Sequence, residues 1–311
     1  MSAETPACRL CGATTVRDRG AICDSDYFGG RVLPVALAGG HLWSCEACGS
    51  LFRDPILEAL AYHALYVAAA PTQWAGAQAR CDQSAVAGLV LAEHAAQRVL
   101  DVGCGTGEFL CLLPSDRARF GVEPSGAQQY AAARGIQIVG STLEEVPSDM
   151  LFDAITVIDV IEHVAEPATL LRLALNHLRP QGLLVVSTGD PEAFAWRLCG
   201  ARFWYASFPE HISFPSRRFF ARWCEANGAA VDARMVTRYQ HLGASRRIVG
   251  IVLQMLYAMS PALVNALGRL WERLRRSPAP RRRYFAPAVP GAFIDHQVVA
   301  IRKLGQPAVR D

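Results

Sequence analysis

The chain has 311 residues, of which 51% are hydrophobic and 19% charged, and its formal net charge is +3 at pH 7. This composition indicates a globular protein with one large domain and an appendage, or with two domains. A net charge this small does not indicate nucleic-acid binding. Residues 1–10 show no signal-peptide pattern and no apolar run reaches the ~18 residues of a membrane span. We therefore expect a cytoplasmic protein without a transmembrane segment.

Two short cysteine pairs lie within the first 55 residues. The pairs Cys8–Cys11 and Cys45–Cys48 both have the spacing C-x-x-C followed by glycine. Two such knuckles supply four thiolates, which is the ligand set of a structural zinc site. A rubredoxin-like iron site has the same ligands and is the alternative. The spacing predicts a zinc-ribbon module over residues 1–55, with a hairpin between the knuckles.

Residues 56–97 form a connector to the next module. The patterns of Ile56–Ala70 and Ala75–Ala96 predict two helices, which Pro71 separates. These helices either pack against the following sheet or form a lid over its ligand.

Residues 99–110, VLDVGCGTGEFL, combine an apolar strand, a glycine-rich turn and the predicted start of a helix. Glycine permits positive φ and lets a ligand lie against the backbone. In a doubly wound sheet the ligand binds beyond the carboxyl end of the first strand. A dinucleotide fingerprint requires a third glycine where Glu108 stands. An acid there repels a pyrophosphate and tolerates a cation.

Acidic residues end two further predicted strands. The strand before Glu123 ends some twenty residues after the first, where a carboxylate can accept both hydroxyls of a ribose. The strand Ala154–Ile158 ends at Asp159 and leads into Glu162 and His163. Strands and helices alternate as far as Thr188, which predicts five parallel strands. The sixth and seventh strands are expected at 230–239 and 297–302.

Residues 190–215 are rich in aromatic side chains and contain the pair Glu210–His211. Imidazole titrates near neutral pH, so His211 is a candidate general base, with Glu210 or another carboxylate holding its tautomer. Tyr205 is a second candidate. The alternative for His211 is a structural histidine that caps the helix beginning near Ser216.

Residues 244–311 hold twelve Arg or Lys residues and three acids. The segment Ile248–Met259 is apolar and Leu263–Leu274 is amphipathic, which predicts a helical insertion over about 244–283, between the last two strands. Three roles are compatible with this pattern: a packed helical pair, a homodimer interface and peripheral contact with a membrane.

Three motifs resemble class I S-adenosylmethionine-dependent methyltransferases. The run VLDVGCGTG resembles their motif I, and residues 152–163 resemble the F-D-x-I-x-x-x-x-V-x-E-H segment of small-molecule methyltransferases, including the quinone and sugar branches. The run P-E-H-I-S-F-x-S over residues 209–216 resembles the E-H-x-x-F-S segment of zinc-bearing sugar methyltransferases from natural-product and surface-polysaccharide clusters. The resemblance implies a Rossmann-like α/β fold with a seven-stranded, mostly parallel sheet over residues 98–311, preceded by the zinc ribbon.

The resemblance also implies a site for S-adenosyl-L-methionine. The residues expected to contact this cofactor are Asp101, Gly103, Cys104, Gly105, Glu108, Phe109, Glu123, Pro124, Thr142, Leu143, Asp159, Val160 and His163. His163 is expected beside the methionine part of the cofactor as a polar pocket residue, with a general base as the alternative. The residues expected to act in catalysis are His211, Glu210, His163 and Tyr205.

The sequence thus predicts in-line methyl transfer to an oxygen or carbon of a small molecule, which is a sugar, a natural product or a quinone-like ring. No nucleic-acid partner is expected. Two alternatives come from other classes: a non-catalytic zinc and nucleoside-binding module associated with RNA, and an NAD-dependent oxidoreductase, which Glu108 disfavours.

Overall fold

The computed structural model describes residues 5–68, 80–274 and 288–305. The strands in these residues are β1 (Val16–Ala21), β2 (Ser25–Phe28), β3 (Arg31–Leu37), β4 (His41–Cys45), β5 (Leu51–Asp54), β6 (Arg98–Val102), β7 (Ala118–Val122), β8 (Gln137–Gly140), β9 (Phe152–Ile158), β10 (Leu178–Gly189), β11 (Ser213–Phe214), β12 (Ala229–Thr237) and β13 (His296–Lys303). The α-helices are α1 (Ala59–Ala68), α2 (Cys81–Ala92), α3 (Gln128–Ala133), α4 (Pro167–Asn176), α5 (Phe194–Cys199), α6 (Arg217–Ala226), α7 (Ala244–Met259) and α8 (Pro261–Leu274).

Seven strands form the central sheet in the order β12-β13-β10-β9-β6-β7-β8. Strands β10, β9, β6, β7 and β8 pair in parallel, and β13 is antiparallel to both of its neighbours. The predicted seven-stranded, mostly parallel sheet is thereby confirmed. Strand order reverses at β6, between β7 and β9. Ligands of doubly wound sheets bind at such a switch point, outside the carboxyl ends of the strands.

Both faces of the sheet are covered, as the apolar runs of its strands require. Successive side chains of a strand point to opposite faces. Leu100 of β6 therefore packs in one cluster with residues of α4 and α6, whereas Val99 packs in a second cluster with residues of α2. Both side chains are fully buried.

The segment after the glycine turn differs from the prediction. A single 3-10 turn at Leu110–Leu112 replaces the expected α-helix. Pro114 lacks a backbone N–H and disfavours helical torsions at the preceding residue, and Leu113 has a ψ of 148°. Only one turn fits between the glycines and this proline.

The N-terminal strands pack against the main sheet. Strands β1, β4 and β5 form an antiparallel sheet, and β11, which lies more than 150 residues later in the chain, is its fourth strand. The predicted hairpin between the cysteine pairs is β2–β3. Cys8, Cys45 and Cys48 belong to the same apolar cluster as Leu100. The cysteine-bearing segment and the central sheet therefore share one core.

The insertion before β13 contains α7 and α8, which contact each other. Helix α7 buries Gly250, Gln254 and Tyr257, and α8 buries Val264 and Asn265. Residues 275–287, which include the end of the predicted insertion, and residues 75–79 of the predicted connector helix lie outside the described residues. In the described part of the chain, every helix is too short or too polar to cross a bilayer.

Candidate active site

The turn after β6 contains three glycines with positive φ. Gly103, Gly105 and Gly107 have φ angles of 73°, 52° and 83°, which side chains with a Cβ rarely adopt. A Cβ on Gly103 would lie 2.4 Å from Cγ2 of Val160, whereas one on Gly105 would meet no described atom within 4 Å. Gly103 therefore allows tight packing, and Gly105 presents bare backbone to open space.

The carboxylate of Glu123 is oriented by this turn. Its Oε2 accepts the backbone N–H of Gly105 at 2.9 Å, and its Oε1 accepts that of Ser125 at 2.9 Å. These bonds fix the plane of a carboxylate that is 7% exposed. Each oxygen keeps a lone pair for a further donor. The arrangement suits two adjacent hydroxyls, such as those of a ribose.

The carboxyl ends of β6, β7 and β9 open into a cavity of about 900 Å³. This volume is typical of a small-molecule site. Every residue predicted to bind the cofactor or to act in catalysis lines this cavity. Among its described lining residues, seven carry carboxylates and one, Arg80, carries a guanidinium. Such a wall attracts a cationic ligand and opposes a pyrophosphate.

Asp101 is the penultimate residue of β6 and is 3% exposed. Its Oδ1 accepts a hydrogen bond from Oγ1 of Thr156 at 2.6 Å. Burial raises the pKa of Asp101 to about 7, against the opposing effect of the Thr156 hydroxyl. A cation bound in the cavity would favour the ionised form.

No motif predicted the role of Arg80, which lies before α2. Its guanidinium pairs with Asp82 and, at 2.5 Å, with Oδ2 of Asp159, and it stacks 4.2 Å above the ring of Tyr239. The φ of Asp159 is 52°, and its Oδ1 is buried without a hydrogen-bond partner among the described residues. Arg80 thus holds one oxygen of this carboxylate, while the other oxygen is buried without a described partner.

His211 lies on the cavity wall and is 9% exposed. Its Nδ1 is 2.8 Å from the carbonyl oxygen of Tyr205. Because a carbonyl can only accept, Nδ1 carries a proton and Nε2 of the neutral ring holds a lone pair. Burial, reinforced by His163, lowers the pKa of His211 well below 6.5. At neutral pH the imidazole is therefore in the form that a general base requires.

Two expectations about His211 need correction. The carbonyl of Tyr205 holds its tautomer, not the carboxylate of Glu210 or another acid. It also does not cap the following helix, since Oγ of Ser216 accepts the N–H of Phe219 and caps α6 itself. Sequence reasoning could not foresee a backbone acceptor because such partners depend on the path of the loop.

His163 contacts both His211 and the connector. The two imidazole centroids are 4.9 Å apart. Nδ1 of His163 is 2.9 Å from the hydroxyl of Tyr66 on α1 and 3.1 Å from the carbonyl oxygen of Glu210. Burial lowers the pKa of His163. Helix α1 therefore contributes a side chain to the cavity, as a lid would.

Tyr205 is engaged by Glu162, the acid of the E-H motif, to which the sequence assigned no role of its own. The Tyr205 hydroxyl donates to Oε1 of Glu162 and accepts the N–H of Gly189, while Oε2 of Glu162 accepts from Thr188. Burial raises the pKa of Glu162 to about 7 and that of Tyr205 well above 10. Tyr205 is thus suited to positioning and not to accepting a proton.

Arg53 of β5 secures the loop that carries His211. Its guanidinium donates to the carbonyl oxygens of Ala206 and Phe208, and its backbone N–H donates to Ile212. The side chain of Arg53 is 2% exposed. The N-terminal segment therefore fixes the backbone on both sides of Glu210 and His211. Glu210 is itself buried, and its Oε2 has no hydrogen-bond partner among the described residues.

The thiols of Cys8, Cys11, Cys45 and Cys48 form one cluster, with all four sulfurs within 4.8 Å of one another. The Sγ atoms are 3.8 Å apart in the pair Cys8–Cys48 and 3.6 Å apart in the pair Cys11–Cys45. A tetrahedral zinc ion with Zn–S bonds of about 2.3 Å separates its sulfurs by about 3.8 Å. The donor set and its spacing fit zinc.

Comparison with known proteins places this site in a family. The model of the methyltransferase domain matches residues 74–233. The ubiquinone biosynthesis O-methyltransferase of Xanthomonas axonopodis pv. citri is 32% identical over 127 residues, which is 36% of this chain and 52% of that protein. The enzyme of the same name from Aeromonas salmonicida is 30% identical over 155 residues, covering 43% and 63%. The chain thus spans about half the length of these curated relatives.

Solved structures include a methyltransferase that superposes in part. The N-methyltransferase NodS of Bradyrhizobium japonicum, in complex with S-adenosyl-L-homocysteine, superposes with a TM-score of 0.44 and 16% identity, covering 71% of this chain and 85% of that one.

The family match spans just over half of the present chain and includes the glycine turn, Glu123, Asp159 and the His211 loop. The chain belongs to the methyltransferase-domain family.

Proposed function

We propose that the protein transfers the methyl group of S-adenosyl-L-methionine to an oxygen of a small-molecule acceptor. The arrangement of Glu123 against the bare backbone of Gly105, beside an acidic cavity wall, carries this proposal. The family membership supports methyl transfer over the NAD-dependent and RNA-associated alternatives.

The residues of the cavity fit the cofactor in distinct ways. Glu123 would accept the ribose hydroxyls, and Thr142 and Leu143 would flank the adenine. Asp101 and Asp159 would face the cationic methionine end. When bound, the cofactor supplies a methyl group activated by a sulfonium.

His211 would accept the proton of the acceptor. A hydroxyl placed against Nε2 loses its proton as its oxygen forms the new bond to carbon and the carbon–sulfur bond breaks. The backbone bonds of Arg53 and the Tyr205 carbonyl hold the ring in one orientation. Burial excludes water from the base.

The acceptor is proposed to be a hydroxylated, quinone-like ring. Several aromatic side chains line the cavity, among them Tyr66, Trp204, Phe208 and Tyr239. They favour a flat apolar ligand through ring stacking. Two relatives are named for ubiquinone biosynthesis, which supports the same class. The four-cysteine cluster is proposed to hold zinc in a structural role.

A methyl-transfer assay tests this function. Purified protein is incubated with methyl-labelled S-adenosyl-L-methionine and, separately, a catechol-type phenol and a nucleotide sugar. We expect labelled product from the phenol, and a rate about a hundredfold lower for His211→Asn, the scale of a general base, with unchanged cofactor affinity. The control is His94→Asn, which changes an exposed histidine. Equal rates for both variants would contradict the assignment of the base.

A further inference from the structure

Helix α7 exposes a continuous apolar stripe. Ile248, Val252, Leu256 and Met259 follow at intervals of four and three residues and are 62%, 49%, 42% and 76% exposed. Residues at this spacing share one face of a helix. The opposite face of α7 is buried against the protein through Gly250, Gln254 and Tyr257.

Helix α8 repeats the pattern. Leu263, Leu267, Leu270 and Leu274 lie on one face and are each 53–70% exposed. An apolar surface formed by two adjacent helices exceeds the scattered exposure that is normal on a folded protein, and such surfaces mark interaction sites. We call the two stripes together the hairpin face.

The charge around the hairpin face identifies its partner. Helices α7 and α8 carry four arginines, Arg246, Arg247, Arg269 and Arg273, and one acid, Glu272. Arg246 lies at the start of α7, and Arg273 lies near the end of α8 beside the leucine stripe; both are exposed. Apolar stripes flanked by arginines are typical of helices that lie in the interface of a membrane. Arginine side chains next to such a stripe reach the charged headgroups.

The same charge disfavours a second copy of this chain. A symmetric contact places the hairpin face against itself, so the arginines of α7 and α8 in both copies would be brought together and repel each other. An anionic lipid surface complements the charge and also accepts the leucine stripes.

We propose that the hairpin face docks on an anionic membrane surface. The helices would lie in the membrane plane with their leucines at the acyl boundary. After the insertion the chain returns to the cavity: Ala288 and Pro290 line it, and Val289 packs beside Gly250 of α7. Docking would therefore bring the cavity near the lipid surface, which, if the proposed function holds, suits an acceptor with an apolar tail.

Vesicle flotation of the 311-residue protein, purified in the presence of zinc, tests the docking. The probes are vesicles of phosphatidylcholine alone and of phosphatidylcholine with phosphatidylglycerol. We expect flotation with the anionic vesicles that weakens as salt is added. The double variant Leu267→Ser/Leu270→Ser should lower partitioning by about a hundredfold, since each buried leucine contributes about tenfold. Arg246→Gln/Arg273→Gln should weaken binding to anionic vesicles alone.

The matched control is Val35→Ser, which removes an exposed apolar side chain on β3, remote in sequence from the insertion. Thermal melting and cofactor binding of every variant show that it is folded, and they separate a failure of docking from a failure of the proposed function. Absence of flotation by the folded protein would overturn the proposal. Unchanged partitioning of the leucine variant would do the same, as would a dimer that this variant dissociates.

Discussion

Burial raises the pKa of two carboxyl groups, those of Asp101 and Glu162, to about 7. In the unfolded chain their pKa values lie near 4, so the folded protein binds their protons more tightly. Their contribution to the free energy of unfolding is therefore complete below about pH 4 and is lost as the pH rises through about 7.

Asp101→Asn should remove part of this pH dependence. As the pH rises from about 4 to 7, the free energy of unfolding of the cofactor-free wild type should fall more steeply than that of the cofactor-free variant. Cofactor affinity should increase as the pH rises through 7 in the wild type, by at most about tenfold per pH unit, because only the ionised carboxylate attracts the cation. Denaturant unfolding and calorimetry at several pH values measure both quantities.

The control for this comparison is Asp116→Asn, which changes an exposed acid outside the cavity. Parallel pH profiles for wild type and Asp101→Asn would show that Asp101 is ionised throughout this range, which contradicts a raised pKa for its carboxyl group.

Residue roles that depend on short stretches of sequence could be predicted. The glycine turn, Glu123 and the pair Glu210–His211 lie in motifs, and all of them line one cavity. Arg80 could not be predicted, because its partner Asp159 lies far away in the sequence and no local pattern marks an arginine before a helix.

Among the elements, β5 supports the site through the side chain of Arg53. Arg53→Met removes a charged donor from two buried carbonyl oxygens, those of Ala206 and Phe208. We expect the free energy of unfolding to fall by about 2–4 kcal/mol, the combined scale of a charged hydrogen bond and an unsatisfied polar group. Denaturant unfolding measures this change.

Arg19→Met provides the comparison, since Arg19 is exposed on β1 of the same small sheet. If both variants lose the same stability, Arg53 does not hold the His211 loop.

The four-cysteine cluster should stabilise the same segment. Cys45→Ser removes one of four thiolates at a buried position, so bound metal and the melting temperature should both decrease. Cys111→Ser, which changes an exposed cysteine outside the cluster, should alter neither. Metal analysis by mass spectrometry together with thermal melting checks this. Iron in place of zinc in the purified protein would contradict the metal assignment.

Elements were predictable where their signal was local. The apolar strands of the central sheet and the insertion helices follow from periodicity, and their ends shift by only a few residues. The prediction of an α-helix after the glycine turn was wrong, because Pro114 leaves room for one helical turn only. The pairing of β11 with β5 was beyond sequence reasoning, since two residues carry no strand pattern.

In the whole molecule, the N-terminal segment, the central sheet and the His211 loop share buried contacts around one cavity. Arg53 of the small sheet holds the His211 loop, and Tyr66 of α1 lines the cavity. Ala288 and Pro290, which precede β13, line it as well. Disruption of the four-cysteine cluster is therefore expected to shift His211 through the backbone of its loop. None of the four cysteines lines the cavity itself.

Calorimetric titration with S-adenosyl-L-methionine tests the central claim most directly. The wild-type protein should bind one equivalent with micromolar affinity. Glu123→Gln should bind about tenfold or more weakly, because an amide cannot accept hydrogen bonds at both positions. Asp116→Asn should bind as the wild type does. Absence of binding by the folded, metal-loaded wild type, or equal binding by Glu123→Gln, would contradict a cofactor site built on Glu123 and the glycine turn.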